Sequence, residues 1–277
     1  MPASPPSAAA TAWPSDWLWP DLGERGIPHV GACMTARSAG ASGSHSVGPY
    51  AGFNLGMHVG DDARAVQANR AHLEAAVGQP ALWLNQVHGH TVVHATPELA
   101  RSGTVVDADG SYATAPGVIC TVMVADCLPV LLAAPDGRGV AALHAGWRGL
   151  AGAGTPAGQG ILEVGVQTLC AAASCTPADL SAWLGPCIGP MAFEVGADVL
   201  DGFGPTLSAC FSPSRVGDDG QPRWLADLPA LARARLARLG LTQVRGGLWC
   251  TVSDASRFFS FRRDRVTGRQ AACIWLR

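Results

Sequence analysis

The stretch from residue 119 to residue 145 constrains the fold of this chain more than any other. It reads "ICTVMVADCLPVLLAAPDGRGVAALHA", with three apolar runs separated by two short polar breaks. Continuous apolar runs of this length are typical of strands that are buried on both faces. The second break contains Asp136-Gly137, a strong signal for a two-residue hairpin turn. We therefore expect a buried hairpin, preceded by a buried strand over "VICTVMV".

A two-residue turn at Asp136-Gly137 fixes which residues face each other, because paired positions then sum to 273. Cys127 lies opposite Gly146, and His144 is its diagonal neighbour on the same face, about 7–8 Å away at the backbone. A four-residue loop keeps this arrangement, whereas a three-residue loop places the two side chains on opposite faces. The turn therefore predicts a thiol and an imidazole close enough to bind one ion.

The rest of the chain gives weaker signals. Asp61 and Asp62 suit the N-cap of a helix that runs to Gly78. We expect further helices over residues 158–172 and 225–239, a final strand in "AACIWLR", and a Gly- and Ser-rich loop over residues 37–60. Residues 1–25 are rich in Pro, Ala, Ser and Trp and are predicted to be a flexible tail, which leaves residues 26–277 as a single catalytic domain.

Composition excludes several classes of protein. The chain of 277 residues contains no lysine, so its 19 basic residues are all arginine. Schiff-base enzymes, P-loop NTPases and protein kinases each need a particular lysine. Any bound phosphate must be held by arginine, backbone N–H groups or a metal.

Charge and hydropathy also restrict partners and location. The net charge of -2 gives no basic surface typical of nucleic-acid binding. Asp126 and Pro129 interrupt the longest apolar stretch, so we expect no contact with a membrane. Residues 1–12 lack the features of a signal peptide. We interpret the nine cysteines as mostly packing thiols of a cytoplasmic protein.

A third ligand for the predicted ion can come from "LWLNQVHGHTVVH". His88 follows an apolar, strand-like stretch and precedes Gly89, which permits a sharp turn. His90 and His94 satisfy the same argument. Two imidazoles and one thiolate suit zinc with an open fourth position. The spacings match no compact zinc-finger pattern.

Several stretches resemble one family. They are "NQVHG", "ADCLPVLL", "HAGWRG", "GPCIGP" with "FEVG", and "FFSFRRD" followed by "TGRQA"; "TARSAGAS", "NLGMHVGDD" and "VQANR" also fit. Together they resemble the YfiH family over roughly residues 30–276. Its members have been called multicopper polyphenol oxidoreductases, peptidoglycan editing factors and purine nucleoside phosphorylases. Cys187 departs from the pattern, where alanine is common.

The resemblance implies a fold, a metal site and an activity. The fold is α+β, with mixed sheets and outer helices in a four-layer α/β/β/α sandwich. The metal ligands are His88, Cys127 and His144, with zinc favoured over copper. The implied reactions are phosphorolysis of adenosine, inosine and methylthioadenosine, and deamination of adenosine. The partners are then a purine nucleoside and phosphate, and the protein is a monomer or a homodimer.

Further residues are candidates for catalysis and binding. Cys127 is one candidate catalytic residue. Asp126 is the nearest candidate general acid or base in the sequence, but its position fits equally well a structural carboxylate that orients a metal ligand. Arg37, Arg70 and Arg148 are candidates to hold phosphate. Asn54 can bind ribose hydroxyls or hold its own loop.

Three other functions compete with the zinc-dependent nucleoside enzyme. A copper-containing polyphenol oxidase, or laccase, needs many histidines, but the chain has eight and no His-Cys-His run. Alternatively, Cys127 is a nucleophile activated by His144 in a hydrolase or amidase that edits peptidoglycan precursors. A purely structural zinc site needs a fourth protein ligand, such as His90 or His94.

Overall fold

The computed structural model describes residues 14–22, 29–38, 43–152 and 158–277. The strands of these ranges are β1 (Val30–Met34), β2 (Ala81–Leu82), β3 (Leu84–Asn85), β4 (Val92–His94), β5 (Val106–Asp107), β6 (Gly110–Ala113), β7 (Ile119–Val124), β8 (Leu128–Ala133), β9 (Val140–Ala145), β10 (Ser181–Leu184), β11 (Glu194–Val195), β12 (Phe211–Val216), β13 (Pro222–Ala226), β14 (Gln243–Gly246) and β15 (Gln270–Leu276). The helices are α1 (Ala63–Val77), α2 (Pro97–Arg101), α3 (Trp147–Ala151), α4 (Ile161–Ala173), α5 (Ala197–Phe203), α6 (Leu228–Arg238) and α7 (Phe261–Asp264).

Two sheets form the centre of the molecule. The first has the strand order β1-β15-β7-β2, and the second has the order β14-β10-β8-β9-β6-β4. Both mix parallel and antiparallel pairs: β7 is antiparallel to β15 and parallel to β2. A three-stranded sheet, β11-β13-β12, and the pair β3-β5 complete the described strands.

Three apolar layers hold the sheets and helices together. The layer between the sheets contains Val122, Leu131 and Ile274. On the outer face of the second sheet, α4 and α6 pack over the alternate side chains of β8 and β9. On the outer face of the first sheet, Leu73 of α1 packs with Trp275. This order of helix, sheet, sheet and helix confirms the expected four-layer α+β fold.

The central hairpin has the register that the turn predicted. Leu128 pairs with Ala145 and Ala133 with Val140, so paired positions sum to 273. Asp136 and Gly137 have φ values of 57° and 67°, as the favoured two-residue hairpin turn requires. The Arg138 N–H donates to the carbonyl oxygen of Pro135 across this turn. The side chains of β7, β8 and β9 are all buried, which confirms strands covered on both faces.

Other local predictions are confirmed with small shifts of boundary. Helix α1 is capped by the Asp62 side chain and ends at Gly78, whose φ of 80° is left-handed. Helices α4 and α6 and strand β15 lie where the sequence placed them. Residues 43–60 contain a short 3₁₀ turn at Gly48–Tyr50, and residues 39–42 of the expected loop lie outside the described residues.

Residues 14–22 pack against the first sheet, although the sequence predicted a flexible tail here. Trp17 is 2% exposed, and Leu18 forms a β-bridge with Met34. Asp21 forms an ion pair with Arg245. The apolar ring of Trp17 gives this segment a reason to pack; the other predicted tail residues, 1–13 and 23–25, lie outside the described residues. None of the described helices has the length and apolar character to cross a bilayer.

Candidate metal centre

Three side chains converge beside the ends of β3, β7 and β9. His88 follows β3, Cys127 lies in the connection from β7 to β8, and His144 is on β9. Each offers one ligand atom, and these atoms lie within 4.8 Å of one another. Cys127 Sγ is 3.7 Å from His88 Nε2, which fits the separation of about 3.4–3.8 Å between ligands of one tetrahedral zinc. The two nitrogen donors and the sulfur donor are therefore close enough to bind one metal ion.

The centre is open on one side. His144 is buried, Cys127 is half-buried and His88 is exposed. No other group of three possible ligands occurs among the described residues, and neither His90 nor His94 belongs to this one. His94 instead stacks on Tyr112 with ring centroids 4.9 Å apart. Three protein ligands with an open side are typical of a catalytic rather than a structural zinc site.

Asp109, which the sequence analysis missed, positions two of the three ligands. It is fully buried, and its Oδ1 accepts a hydrogen bond from His144 Nδ1 at 2.8 Å. In the neutral imidazole, this bond keeps the proton on Nδ1 and leaves Nε2 as the nitrogen that can bind a metal. The carboxylate also accepts the backbone N–H groups of Val87, His88 and Gly89 at 3.2, 2.9 and 2.7 Å. These three bonds hold the loop in which His88 adopts a positive φ of 61°.

Glycines let the surrounding backbone approach closely. A Cβ at Gly149 of α3 would collide with the carbonyl oxygen of Gly89. A Cβ at Gly146 would lie 2.8 Å from His88 Cδ2 and 3.2 Å from Cys127 Sγ. The "HAGWRG" stretch therefore contributes His144 as a ligand and two glycines as space for the other ligands.

Charge interactions among the three ligands and Asp109 determine which of them are ionised. Burial favours the neutral thiol of Cys127, but His144 and His88 outweigh it and lower its pKa to about 6. Burial favours neutral His144, but Cys127 and Asp109 raise its pKa to about 9. Burial likewise opposes the charge of Asp109, yet the bonds from His144 and the loop amides lower its pKa. Without metal, Cys127 and His144 thus form a thiolate–imidazolium pair near neutral pH.

Asp126 is held by other parts of the chain. Its Oδ1 accepts the Thr251 hydroxyl at 2.6 Å, and its Oδ2 accepts the Arg262 backbone N–H at 2.6 Å. Its carbonyl oxygen accepts the Ile188 N–H. Asp126 has a φ of 105°, so these bonds fix a strained residue directly before Cys127. The contacts favour the structural interpretation of Asp126 over the general acid or base.

Asn54 has no polar atom left for a substrate. It is fully buried, and its Oδ1 accepts the N–H groups of Gly56 and Arg269. Its amide donates to Asp61 at 2.8 Å and to the Gly56 carbonyl oxygen at 3.4 Å. All four hydrogen-bonding positions of the side chain are used. These contacts argue against the predicted ribose binding and give Asn54 the alternative role of holding its loop.

The three candidate arginines lie in different surroundings. Arg37 donates to the carbonyl oxygens of Ala51 and Ala255 and therefore ties two loops together. Arg148 on α3 is exposed, with its guanidinium 4.5 Å from the Trp147 ring centroid. Arg70 is half-buried on α1 and donates to the Leu55 carbonyl oxygen at 2.9 Å. Arg148 therefore lies close to Gly146 of the metal centre. Arg70 lies beside β7, where its Nη2 is 3.7 Å from Met123 Sδ.

The four-layer α+β fold and the three-ligand centre of His88, Cys127 and His144 together indicate the protein family to which this chain belongs. Residues 31–277 match a family model described as multi-copper polyphenol oxidoreductase laccase, and the chain belongs to that family. The resemblance to YfiH proteins seen in the sequence is confirmed, because the chain is 45% identical to a protein of Escherichia coli named purine nucleoside phosphorylase YfiH, over 89% of this chain and 94% of that protein.

Other relatives agree in name and in structure. A Pseudomonas aeruginosa protein named purine nucleoside phosphorylase is 45% identical over 94% of this chain and 98% of its own length. The crystal structure of a Neisseria meningitidis protein matches with a TM-score of 0.80 and 42% identity, covering 95% of this chain and 99% of that one. YlmD from Geobacillus stearothermophilus matches with a TM-score of 0.80 and 30% identity, over 94% and 96% of the two chains.

Proposed function

We propose that this protein is a zinc-dependent purine nucleoside phosphorylase. The observation that carries the proposal is the convergence of His88, Cys127 and His144 around one open position. Relatives that share 45% of their residues with this chain are named for the same activity. The proposed substrates are adenosine, inosine and methylthioadenosine with phosphate, and the proposed products are the free base and ribose 1-phosphate. Adenosine deamination is the proposed second activity.

The metal in this proposal is zinc, held by His88, Cys127 and His144. When bound, zinc acts as a Lewis acid and can lower the pKa of a coordinated water to about 7. Asp109 orients His144 and holds the His88 loop, so the ligand geometry exists before the ion arrives. A multicopper enzyme needs further copper sites, and the described residues hold a single three-ligand group.

Phosphorolysis breaks the bond from ribose C1′ to purine N9 and forms a bond from C1′ to a phosphate oxygen. The electron pair of the broken bond leaves with the base, which takes up the proton of hydrogen phosphate. The protein must hold the phosphate dianion beside C1′. Because the chain has no lysine, arginine and protonated histidine are the cationic side chains that can do so. Of the arginines proposed from the sequence, Arg70 is half-buried beside β7 and is best placed to do so.

The cellular setting belongs to the same proposal. All nine cysteines are free, which fits a reducing cytoplasm. Residues 26–277 are proposed to act as a single catalytic domain.

The test is an assay of purified protein whose metal content has been measured. We expect adenosine with phosphate to yield adenine and ribose 1-phosphate, and adenosine without phosphate to yield inosine. Cys127→Ala should remove the metal and both activities, because it deletes the thiolate ligand. Cys175→Ala, which changes another half-buried cysteine, is the matched control and should keep both. Full turnover by metal-free Cys127→Ala would show that the centre is not catalytic.

A hydrolase that uses Cys127 as its nucleophile is the second candidate. The thiolate–imidazolium pair favours it, because a lowered thiol pKa beside a histidine is the usual means of activating cysteine. Metal analysis separates the two functions. Protein isolated without zinc, together with a covalent Cys127 adduct formed on incubation with an ester or amide substrate, supports the hydrolase.

A further inference from the structure

Two arginines beside the metal centre are desolvated without an ionic partner. Arg70 and Arg269 are both half-buried, and neither lies within ion-pairing distance of a carboxylate among the described residues. Burial lowers the pKa of Arg70 to about 10, although Glu74 opposes the shift, and burial also lowers the pKa of Arg269. Buried charges are normally paired, so this pair of cations is suited to an anionic ligand.

The two arginines meet at one segment of the "NLGMH" loop. The carbonyl oxygen of Leu55 accepts Arg70 Nε at 2.9 Å, and the Leu55 N–H donates to the carbonyl oxygen of Arg269 at 3.0 Å. The Arg269 side chain lies against Gly56, where an added Cβ would be 2.8 Å from its Cγ. Both positive charges lower the pKa of His58, after the larger effect of burial. Arg70 and Arg269 therefore form one cationic cluster, and His58, whose lowered pKa favours the neutral imidazole, lies beside it.

Both guanidinium groups keep donors for a ligand. Arg269 uses Nη1 for the carbonyl oxygens of Thr267 and Gly268. Arg70 uses Nε for Leu55 and makes a weak contact from Nη2 to sulfur. Nη2 of Arg269 and Nη1 of Arg70 have no hydrogen-bond partner among the described residues. Charge-assisted bonds from two guanidinium groups are a common way to hold phosphate.

The cluster adjoins the metal-binding loop. Arg269 directly precedes β15, whose first residue, Gln270, pairs with Val124 at the end of β7. This register places Arg269 beside the stretch that leads to Cys127. Burial lowers the pKa of Arg269, and the negative charges of Cys127 and Asp126 oppose this shift. An anion held by the cluster is thus adjacent to the proposed reaction centre.

We infer that Arg269 and Arg70, with His58 at the rim, form the phosphate-binding subsite of this enzyme. The inference rests on the proposed phosphorylase function and adds to it two residues, Arg269 and His58, that the sequence analysis did not consider. The subsite holds the phosphate dianion while one of its oxygens bonds to C1′ and the C1′–N9 bond breaks.

The test measures binding of inorganic phosphate by calorimetry, without nucleoside, and the KM values for phosphate and adenosine. We expect Arg269→Ala to weaken phosphate binding and raise the phosphate KM by about tenfold or more, with little change in the adenosine KM. Arg70→Ala should act in the same direction. Arg64→Ala removes an exposed arginine of the same helix and should leave both quantities unchanged.

The outcomes separate this inference from the proposed function. If phosphorolysis occurs but Arg269→Ala and Arg70→Ala keep the wild-type phosphate affinity, the subsite is wrong and the function stands. If the wild type binds phosphate and Arg269→Ala does not, the subsite stands even where no phosphorolysis is found. Should either alanine variant fail to fold, Arg269→Gln and Arg70→Gln remove the charge and keep a long polar side chain; wild-type phosphate affinity in both would overturn the inference.

Discussion

Replacing Asp109 with asparagine should weaken metal binding without changing any ligand. The carboxylate accepts four N–H bonds, one from His144 Nδ1 and three from the backbone of residues 87–89. An asparagine side chain has a single acceptor oxygen, and its NH₂ group would face N–H donors in the buried site. If the amide oxygen serves the loop, the NH₂ group favours the His144 tautomer that carries its proton on Nε2. That tautomer cannot bind the metal.

The expected size of the effect follows from the number of ligands that Asp109 positions. Loss of one such supporting group typically lowers metal affinity about 10–100-fold. Because Asp109 supports two of the three ligands, we expect a loss near the upper figure, about 100-fold, or about 2.7 kcal/mol of binding free energy. Competition for zinc with a chromophoric chelator measures this affinity directly.

The control for Asp109→Asn is Asp107→Asn. Asp107 is exposed and accepts the Asn85 side chain at 2.7 Å, so its replacement makes the same chemical change two residues away. Circular dichroism must show that both variants are folded. A folded Asp109→Asn protein that binds zinc within about threefold of the wild type would refute the positioning role of Asp109.

Three further predictions concern the glycine contact, the thiolate and a buried ion pair. Gly149→Ala should lower zinc content, because its Cβ would displace the Gly89 carbonyl oxygen and with it His88. Gly202→Ala, where an added Cβ makes only ordinary contacts of 3.4 and 3.8 Å with Trp147 and Ala151, is the control, and equal zinc in both variants would contradict the argument. In metal-free protein, the rate of Cys127 alkylation by iodoacetamide should rise with pH through a midpoint of about 6, because the reactive thiolate forms above the thiol pKa and is lost below it. A midpoint at the pKa of an ordinary cysteine, about 8.5, would refute the pairing with His144. Glu163→Ala should lower the free energy of unfolding by about 3 kcal/mol, since it leaves the buried guanidinium of Arg235 without the carboxylate 2.9 Å from its Nε. Urea denaturation measures the free energy of unfolding, and a loss below about 1 kcal/mol would contradict the prediction.

The sequence predicted the central hairpin well because its information is local. Asp136-Gly137 specifies the turn, and the turn specifies the register that brings Cys127 and His144 to one face. Strand burial followed from unbroken apolar runs, and α1 from its capping residues Asp62 and Gly78. Each of these signals depends on neighbours in the chain.

Asp109 could not be found in this way, because its role depends on a distant pairing. It precedes β6, and β6 pairs with β9 so that Gly110 lies opposite Leu143. The same register puts Asp109 opposite His144, but no turn joins β6 to β9 and no spacing indicates the pair. An acid directly before a strand-like stretch was the one signal available in "VDADGSYA".

The contacts of Asn54 and Trp17 also depend on residues that are distant in the sequence. Asn54 has the residue type of a ribose ligand, yet its bonds go to Asp61, Gly56 and Arg269. The bond to Arg269 joins residues 215 positions apart, so no residue near Asn54 in the sequence indicates it. Trp17 likewise lies in a segment whose composition suggests a tail, but its large apolar ring packs with Phe53.

The central hairpin also bears on the order in which the centre is assembled. Cys127 and His144 are joined by one tight turn, and a loop of this length closes in well under a millisecond, long before distant strands meet. His88 and Asp109 arrive later, since they depend on the docking of other strands. A newly synthesised chain therefore brings the Cys127 and His144 donors together as soon as this hairpin forms. The His88 donor completes the metal site when the remaining strands have docked.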